Sequence, residues 1–329
     1  MDFRLNDDQQ ALQEGVRAFC EGRVPLERLH ALCDTGGFDA DLWRDLAELG
    51  VFSLRLDESR GGVGLGMADA VVVFAELGRS LVPGPLLWTH LAAGWVEGAA
   101  AGEAVVGGLD LMQPNADPLL VAHLDRLDAL LLLRADGIYR ADPRALGGEP
   151  VRIPLDPLTP LHWLSEAPDG ERIGGPGDAA QLRLEGSALA ATLLFGIAEA
   201  TQELAVSYAL EREQFGRPIG GFQALKHMIA DTFVRQELSR AAVYAAGATL
   251  DDPEVGDGPR AVASAKLIAG EAALKNARTC LQVYGGMGYT WEMPCHYYLK
   301  RAWVLENEFG GVDEHAERVA AAVEAEAAR

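Results

Sequence analysis

The sequence predicts a mainly α, α+β protein in three parts. These are an N-terminal helical domain (1–100), a small, reduced β domain (101–186) and a C-terminal antiparallel helical bundle (187–329). Three observations predict it. Apolar residues recur at helical spacing through the first hundred positions. Short apolar runs punctuated by Gly, Pro and Asp follow from about 101 to 185, and long helical periodicity returns from Ser187 to the end.

In the first part, Asn6 is placed to cap a helix whose Leu12, Val16 and Phe19 share one face, and "FDADLWRDLAELG" stops at Gly50. The loop "ESRGGVGLG" (58–66) is glycine-rich, but no strand precedes it and its glycines fit neither G-x-G-x-x-G nor a Walker A pattern, so it is not a phosphate loop. "MADAVVVFAELGRSLV" (67–82) is the next helix, ended by Pro83, Gly84 and Pro85, and "LLWTHLAAGWVEGAA" reads as helical too.

The runs "PLLVAHL", "ALLLLRADGIYRAD" and "AQLRLEG" read as strands, with Asp136–Gly137 as a hairpin signal. Six of the sixteen prolines fall between Pro143 and Pro168, which predicts irregular loop there. Helices are then expected at about 187–212, 222–249, 260–284, 294–308 and 312–328. The third is Ala- and Gly-rich, so its backbone can approach its neighbours closely.

The hydrophobic content of 49% with 23% charged residues suits a soluble globular chain. Its longest apolar runs fall short of a bilayer span, and "MDFRLNDDQQ" has no basic leader, so a cytoplasmic protein without membrane contact is expected. A net charge of −21 opposes binding to nucleic acid or an anionic surface, but a few local Arg and Lys groups can still hold a phosphate. Cys20, Cys33, Cys280 and Cys295 show no CxxC spacing and no cluster with the seven histidines. They predict buried free thiols and no metal site.

Two constellations stand out. Arg212 ends a helix just before Gly216 and Pro218 break the chain. It can complement the negative helix end there, or it can join the backbone amides of the break in facing a phosphate or planar ring. In "CLQVYGGMGYTWEMP" (280–294), Gly285 and Gly286 suit a helix stop, yet Gln282, Tyr284, Tyr289 and Trp291 cluster around them.

Together, "REQFGRPIGGFQALKHMIAD" and "LQVYGGMGYTWEMP" resemble the paired C-terminal signatures of the FAD-dependent acyl-CoA dehydrogenase family, and the order of domains resembles that family along nearly the whole chain. The resemblance implies FAD contacts from Arg212, Gln214 and Phe215, with Gln223 near the adenine end. It further implies that Gln282, Gly285 and Gly286 reach the same flavin from a neighbouring subunit, and that Arg212 pairs with the pyrophosphate. The implied reaction takes a proton from the α carbon of an acyl-CoA and passes a hydride from the β carbon to flavin, giving a trans-2-enoyl-CoA. Electrons then pass to an acceptor such as an electron-transfer flavoprotein.

The chain also departs from the family pattern. Where most members carry the catalytic glutamate, "LENEFGG" (305–311) places Phe309. Glu308 lies one position off, and on a continuous helix a one-residue shift turns a side chain by roughly 100°. A minority of members carry the base at a position that aligns with Gly186, next to Glu185. Glu271, in the Ala-rich helix, reads as a buried polar-network residue. The flavin-ring stretch of the β domain is missing. These features resemble the short subunits of heteromeric α2β2 enzymes that oxidise CoA thioesters of steroid side chains, in which a longer paralogue supplies the base. Two other readings stand beside it: a self-sufficient homomer using Glu185 or Glu308, and a catalytically silent structural paralogue.

Overall fold

A computed structural model describes residues 4–112 and 118–327; the first three residues of the N-terminal stretch read above lie outside it. The chain opens with α1 (Asp7–Arg23), whose start is a reciprocal capping box between Asn6 and Gln9. Helices α2 (Leu29–Asp34), α3 (Ala40–Glu48), α4 (Met67–Arg79) and α5 (Leu86–Ala92) complete the N-terminal part. α5 is shorter than the sequence suggests, because the chain turns repeatedly between Ala93 and Gly102.

The β domain holds two small sheets. Strands β1 (Val106–Asp110), β3 (Ala129–Arg134), β4 (Gly137–Ala141) and β7 (Glu171–Gly174) form the order β1-β3-β4-β7, with β1 parallel to β3 and the remaining pairs antiparallel. The Asp136–Gly137 hairpin is present, with Arg134 opposite Gly137. Strands β2 (Leu119–Ala122), β5 (Glu149–Pro150) and β6 (Leu161–Leu164) form the second sheet. The proline-rich stretch is thus interrupted by β5 and β6.

The run "AQLRLEG" is helix, not strand. It lies within α6 (Pro176–Glu211), which starts eleven residues before the expected Ser187. The "GGPG" of 174–177 reads as loop punctuation, yet Pro176 suits the first helical position and Asp178 accepts from the Gly175 N–H at 2.8 Å. α7 (Gln223–Asp251), α8 (Gly258–Tyr284), α9 (Cys295–Leu305) and α10 (Val312–Ala327) complete the bundle. Glu271 is exposed and pairs with Lys275 one turn on, so it belongs to the solvated face of α8. All four cysteines are free; three are buried and Cys33 is half-buried.

α6 is the axis of the molecule, packing on α4, α7, α8 and α9. It is long and apolar enough to span a bilayer by length and composition, but 72% of its most apolar window is buried inside this fold. Close approach to α4 depends on two glycines. A Cβ at Gly196 would lie 2.1 Å from the Ala75 carbonyl oxygen, and one at Gly78 would lie 2.3 Å from that of Leu193. α1 is tied on by Arg17 and Gln13, which both donate to the fully buried Glu76 carboxylate of α4.

Since the crossing is backbone against backbone, neither helix can yield locally. Gly196→Ala is expected to lower the unfolding free energy by about 1–3 kcal/mol in urea denaturation. Gly177→Ala, where a Cβ meets nothing within 4 Å, is the matched control and should cost nothing.

Candidate active site

Two regions carry the chemistry. The first is the end of the bundle where α6 stops. The Arg212 N–H bonds back to the Tyr208 carbonyl at 2.9 Å and closes the helix. The chain then makes a two-residue hairpin, β8 (Glu213–Gln214) against β9 (Arg217–Pro218), whose turn holds Phe215 at φ 54° and Gly216 at φ 78°. This left-handed pair suits a tight hairpin but costs Phe215 strain that a glycine would not carry. The Ile219 N–H returns to the Arg212 carbonyl at 2.8 Å.

That geometry pushes Phe215 outward, 92% exposed, with only an edge contact to Phe222 at 6.0 Å. Arg217 lies over the Phe222 ring at 4.2 Å. Arg212 is exposed, and its guanidinium forms no hydrogen bond or ion pair among the described residues. Gln214 donates to the neighbouring Glu213 carbonyl at 2.8 Å, and Gln223 meets His227 at 3.3 Å.

The second signature joins the first within one chain. Tyr284 stacks on Tyr208 with centroids 4.0 Å apart, and Leu281 and Val283 share an apolar cluster with Ile219 and Phe222. Gln282 points to solvent, Gly285 caps α8 at φ 61°, and both Gly285 and Gly286 have open space where a Cβ would stand. The structure therefore gathers all seven sequence-selected positions at one end of the bundle. A cationic side chain without a partner, an unsupported aromatic ring and bare backbone fit an extended dinucleotide with an anionic centre.

The second region is a cavity of about 490 Å³ between α5, β1, β2 and α9, open to solvent on one side, and none of those seven residues lines it. Its walls are mostly apolar, with Leu the commonest residue. Phe309 closes one side, buried to 1%, at φ 56° and packed at a tilt against Trp88 with centroids 4.7 Å apart. The far side of its ring lies against Gly186, where an added Cβ would come within 2.5 Å of it. The two positions at which a catalytic carboxylate was sought, 309 and 186, thus touch each other and hold a ring and a hydrogen.

Glu185 is engaged elsewhere. It forms a two-pronged ion pair with Arg55 at 2.8 and 2.9 Å and accepts from Gln181 at 2.8 Å. Burial opposes its ionisation, but the Arg55 hydrogen bonds and charge outweigh that and hold the carboxyl below its usual range.

Glu308 is the correction. A one-residue shift was expected to turn it away, yet it lines the cavity. α9 ends at Leu305, so residues 306–308 are turns to which the 100° helical rule does not apply. Burial pushes the Glu308 carboxyl up to about 7; the Lys266 charge opposes the rise, the nearby Asp110 carboxylate adds to it, and a Trp88 hydrogen bond lowers it. The loop is held by Lys266, whose ammonium donates to the carbonyls of Leu305, Glu306, Glu308 and Gly310 at 3.0, 3.1, 2.7 and 3.3 Å. Burial lowers Lys266 itself to about 8.

Sequence reasoning missed Lys266, although a lone lysine on the stripe Val262, Ala265, Ala269 was a readable signal. It also missed Arg301, His123 and Thr159 on the cavity wall, which no spacing marks.

Residues 6–100 match the acyl-CoA dehydrogenase N-terminal domain and residues 179–324 the acyl-CoA dehydrogenase C-terminal domain. The chain belongs to the acyl-CoA dehydrogenase family, and FAD is its cofactor. Acyl-CoA dehydrogenase IpdE2 of Mycobacterium tuberculosis is 35% identical over 90% of this chain and 91% of its own length. IpdE2 of Mycolicibacterium smegmatis is 32% identical over 97% of this chain and 100% of its own. Among solved structures, the ChsE4-ChsE5 complex from M. tuberculosis contains a chain with TM-score 0.82 at 24% identity, covering 98% of this chain and 99% of that one. The steroid acyl-CoA dehydrogenase Tcur3481-Tcur3483 gives 0.83 at 23%, with the same coverage.

Because Glu308 holds its proton more tightly in the folded state, its contribution to stability is complete below about pH 4.5 and lost as pH rises to about 7. Glu308→Gln should therefore raise stability at pH 8 by an amount on the order of 3 kcal/mol and leave it nearly unchanged at pH 4. Urea denaturation at the two pH values measures this directly. Equal shifts at both would mean that Glu308 does not titrate in this window.

Proposed function

We propose that this chain is the base-lacking short subunit of an α2β2 acyl-CoA dehydrogenase that converts CoA thioesters of steroid side chains to trans-2-enoyl-CoA. The observation that carries the reading is the Phe309 ring packed on Gly186: neither family position for the base can take a proton. α-Proton abstraction then needs a carboxylate from a longer paralogue. When bound, FAD accepts the β-hydride, and an electron-transfer flavoprotein is the natural acceptor after it.

This chain's part is to hold the cofactor. Arg212 would bind the pyrophosphate, Gln214 and Phe215 would flank it, Gln223 would lie toward the adenine, and Gln282, Gly285 and Gly286 would meet the flavin of the neighbouring subunit. Two further observations support an assembly. Leu210, Phe215, Tyr289 and Trp291 are exposed around the clasp, and Phe233, Val234 and Leu238 leave apolar surface open on α7. The relatives named IpdE2 and the solved ChsE4-ChsE5 and steroid enzyme complexes motivate the choice of partner and substrate class.

A second reading rests on Glu308. Glu308 lines the cavity, and burial pushes its carboxyl up to about 7, which suits a general base in a self-sufficient homomer.

Bound FAD per chain separates the readings. The chain alone should hold little flavin, and co-expression with a longer paralogue should restore about one FAD per heterodimer. Full occupancy in the isolated chain, with activity abolished by Glu308→Gln, would replace the split site with the homomer. In the assembled complex, Arg212→Ala should weaken FAD binding about 10- to 100-fold, as expected for losing a hydrogen bond to a charged group. Unchanged flavin content would indicate a purely structural subunit.

A further inference from the structure

The residues directed at FAD stand on two stretches far apart in the chain, and one flat contact joins those stretches. The Tyr208 ring lies on the Tyr284 ring with centroids 4.0 Å apart and planes inclined by 15°. Neither tyrosine is among the seven clasp residues.

Each ring sits at the base of one half of the clasp. Tyr208 lies in the last turn of α6, and its carbonyl accepts the Arg212 N–H at 2.9 Å, the bond that closes the helix before the hairpin. Tyr284 is the last residue of α8, between Gln282 and Gly285. The turn after it folds back tightly: a Cβ at Gly288 would come within 3.0 Å of both the Tyr284 Cβ and the Leu281 carbonyl oxygen. The last turn of a helix is its least restrained part, because its carbonyls lack partners within the helix. A shift of either ring therefore moves a helix end and the backbone that carries a FAD-directed group.

The pair does more than fill space. Ala205, Ala209, Cys280 and Cys295 already make a buried apolar cluster beneath it, while both rings remain half-buried. Among the described residues neither tyrosine hydroxyl makes a hydrogen bond, so the ring faces alone hold the contact. Two flat faces in register fix the spacing of the helix ends and resist rotation of either ring.

We propose that Tyr208 and Tyr284 are positioning residues for FAD: their stack sets the hairpin bearing Arg212 against the turn bearing Gln282, Gly285 and Gly286, so that both meet one dinucleotide. This rests on the assignment of those residues to FAD and deepens it, since the two signatures then act as one unit through a contact that touches no cofactor atom.

The test is the FAD dissociation constant of the assembled complex, titrated by flavin fluorescence after the cofactor has been stripped. Tyr284→Leu should weaken FAD about two- to tenfold, the range an aromatic pair is worth, whereas Tyr284→Phe keeps the ring face and should bind as the unmodified protein does. Tyr208→Leu breaks the same contact from α6, so it should cost as much, and the two leucines together should cost no more than one. Combined with Arg212→Ala, Tyr284→Leu should weaken FAD by clearly less than the product of the single losses, because the stack then has no guanidinium to present. A purely structural loosening would multiply with the loss of Arg212. Should one leucine variant fail to fold, the other carries the cycle. Losses that multiply, a Tyr284→Phe variant as weak as Tyr284→Leu, or unchanged affinity in both leucine variants would each overturn the positioning role, and leave the FAD assignment standing where Arg212→Ala alone still weakens binding. Unchanged affinity in Arg212→Ala would overturn that assignment and the positioning role with it.

Discussion

The crossing of α4 and α6 is the constraint on which the rest depends. With Gly78 and Gly196 facing the opposite backbone, the two helices approach closely enough for α6 to be wrapped by α7, α8 and α9 on its other sides. A helix buried all round presents no single apolar stripe, which is why the 190s read as a continuous run of Ala, Leu, Phe and Ile. Its two ends then do different work. The N-terminal half brings Gly186 beneath Phe309 and Arg183 to Asp110 and Glu314, and the C-terminal end releases the chain into the hairpin that carries Arg212 and Phe215.

Buried charge is concentrated around the segment that follows α9. Among the described residues Lys266 has no carboxylate hydrogen bond; it replaces its water shell with four main-chain carbonyls. Those carbonyls belong to a helix end and a turn, so one ammonium supports the helix terminus and fixes the loop together. The fixed loop holds Phe309 in its left-handed conformation and keeps Glu308 on the cavity wall. The pair also explains why the two groups titrate toward each other: each loses hydration, and each charge partly compensates the other.

How much of this was legible depended on whether the determinant was local. Caps, breaks and periodicity are local, so the Asn6 capping box, the Asp136–Gly137 hairpin and the helices from Gln223 onward could be read directly. The start of α6 could not, because Gly–Gly–Pro–Gly signals a loop and a helix N-terminus equally well, and the choice falls to the packing of Ala179 and Leu182. The two signatures could be located because each is continuous in sequence, and the structure brings them to one end of the bundle. The cavity could not: Arg301, Thr159 and His123 come from α9, a loop and the end of β2, and no pattern announces that three such residues will line one cavity. Glu308 was misjudged for a related reason, since a helical rotation was applied beyond the residue at which the helix stops.

The separation of clasp and cavity has its own consequence. The groups suited to a dinucleotide lie exposed at one end of the bundle, whereas the cavity suited to an acyl chain lies between α5, the β domain and α9. A cofactor must present its reactive ring to the acyl chain, and within one chain the seven clasp residues do not border the acyl cavity. The exposed apolar residues around the clasp carry a hydration cost in a monomer that burial against a second subunit would remove. Under the proposed assembly the absence of a carboxylate at 309 and the bare surface would have one cause: a chain that lent its clasp to a neighbour's reaction centre would be under no constraint to keep a base in its own, and position 309 would be free for the ring that packs on α6.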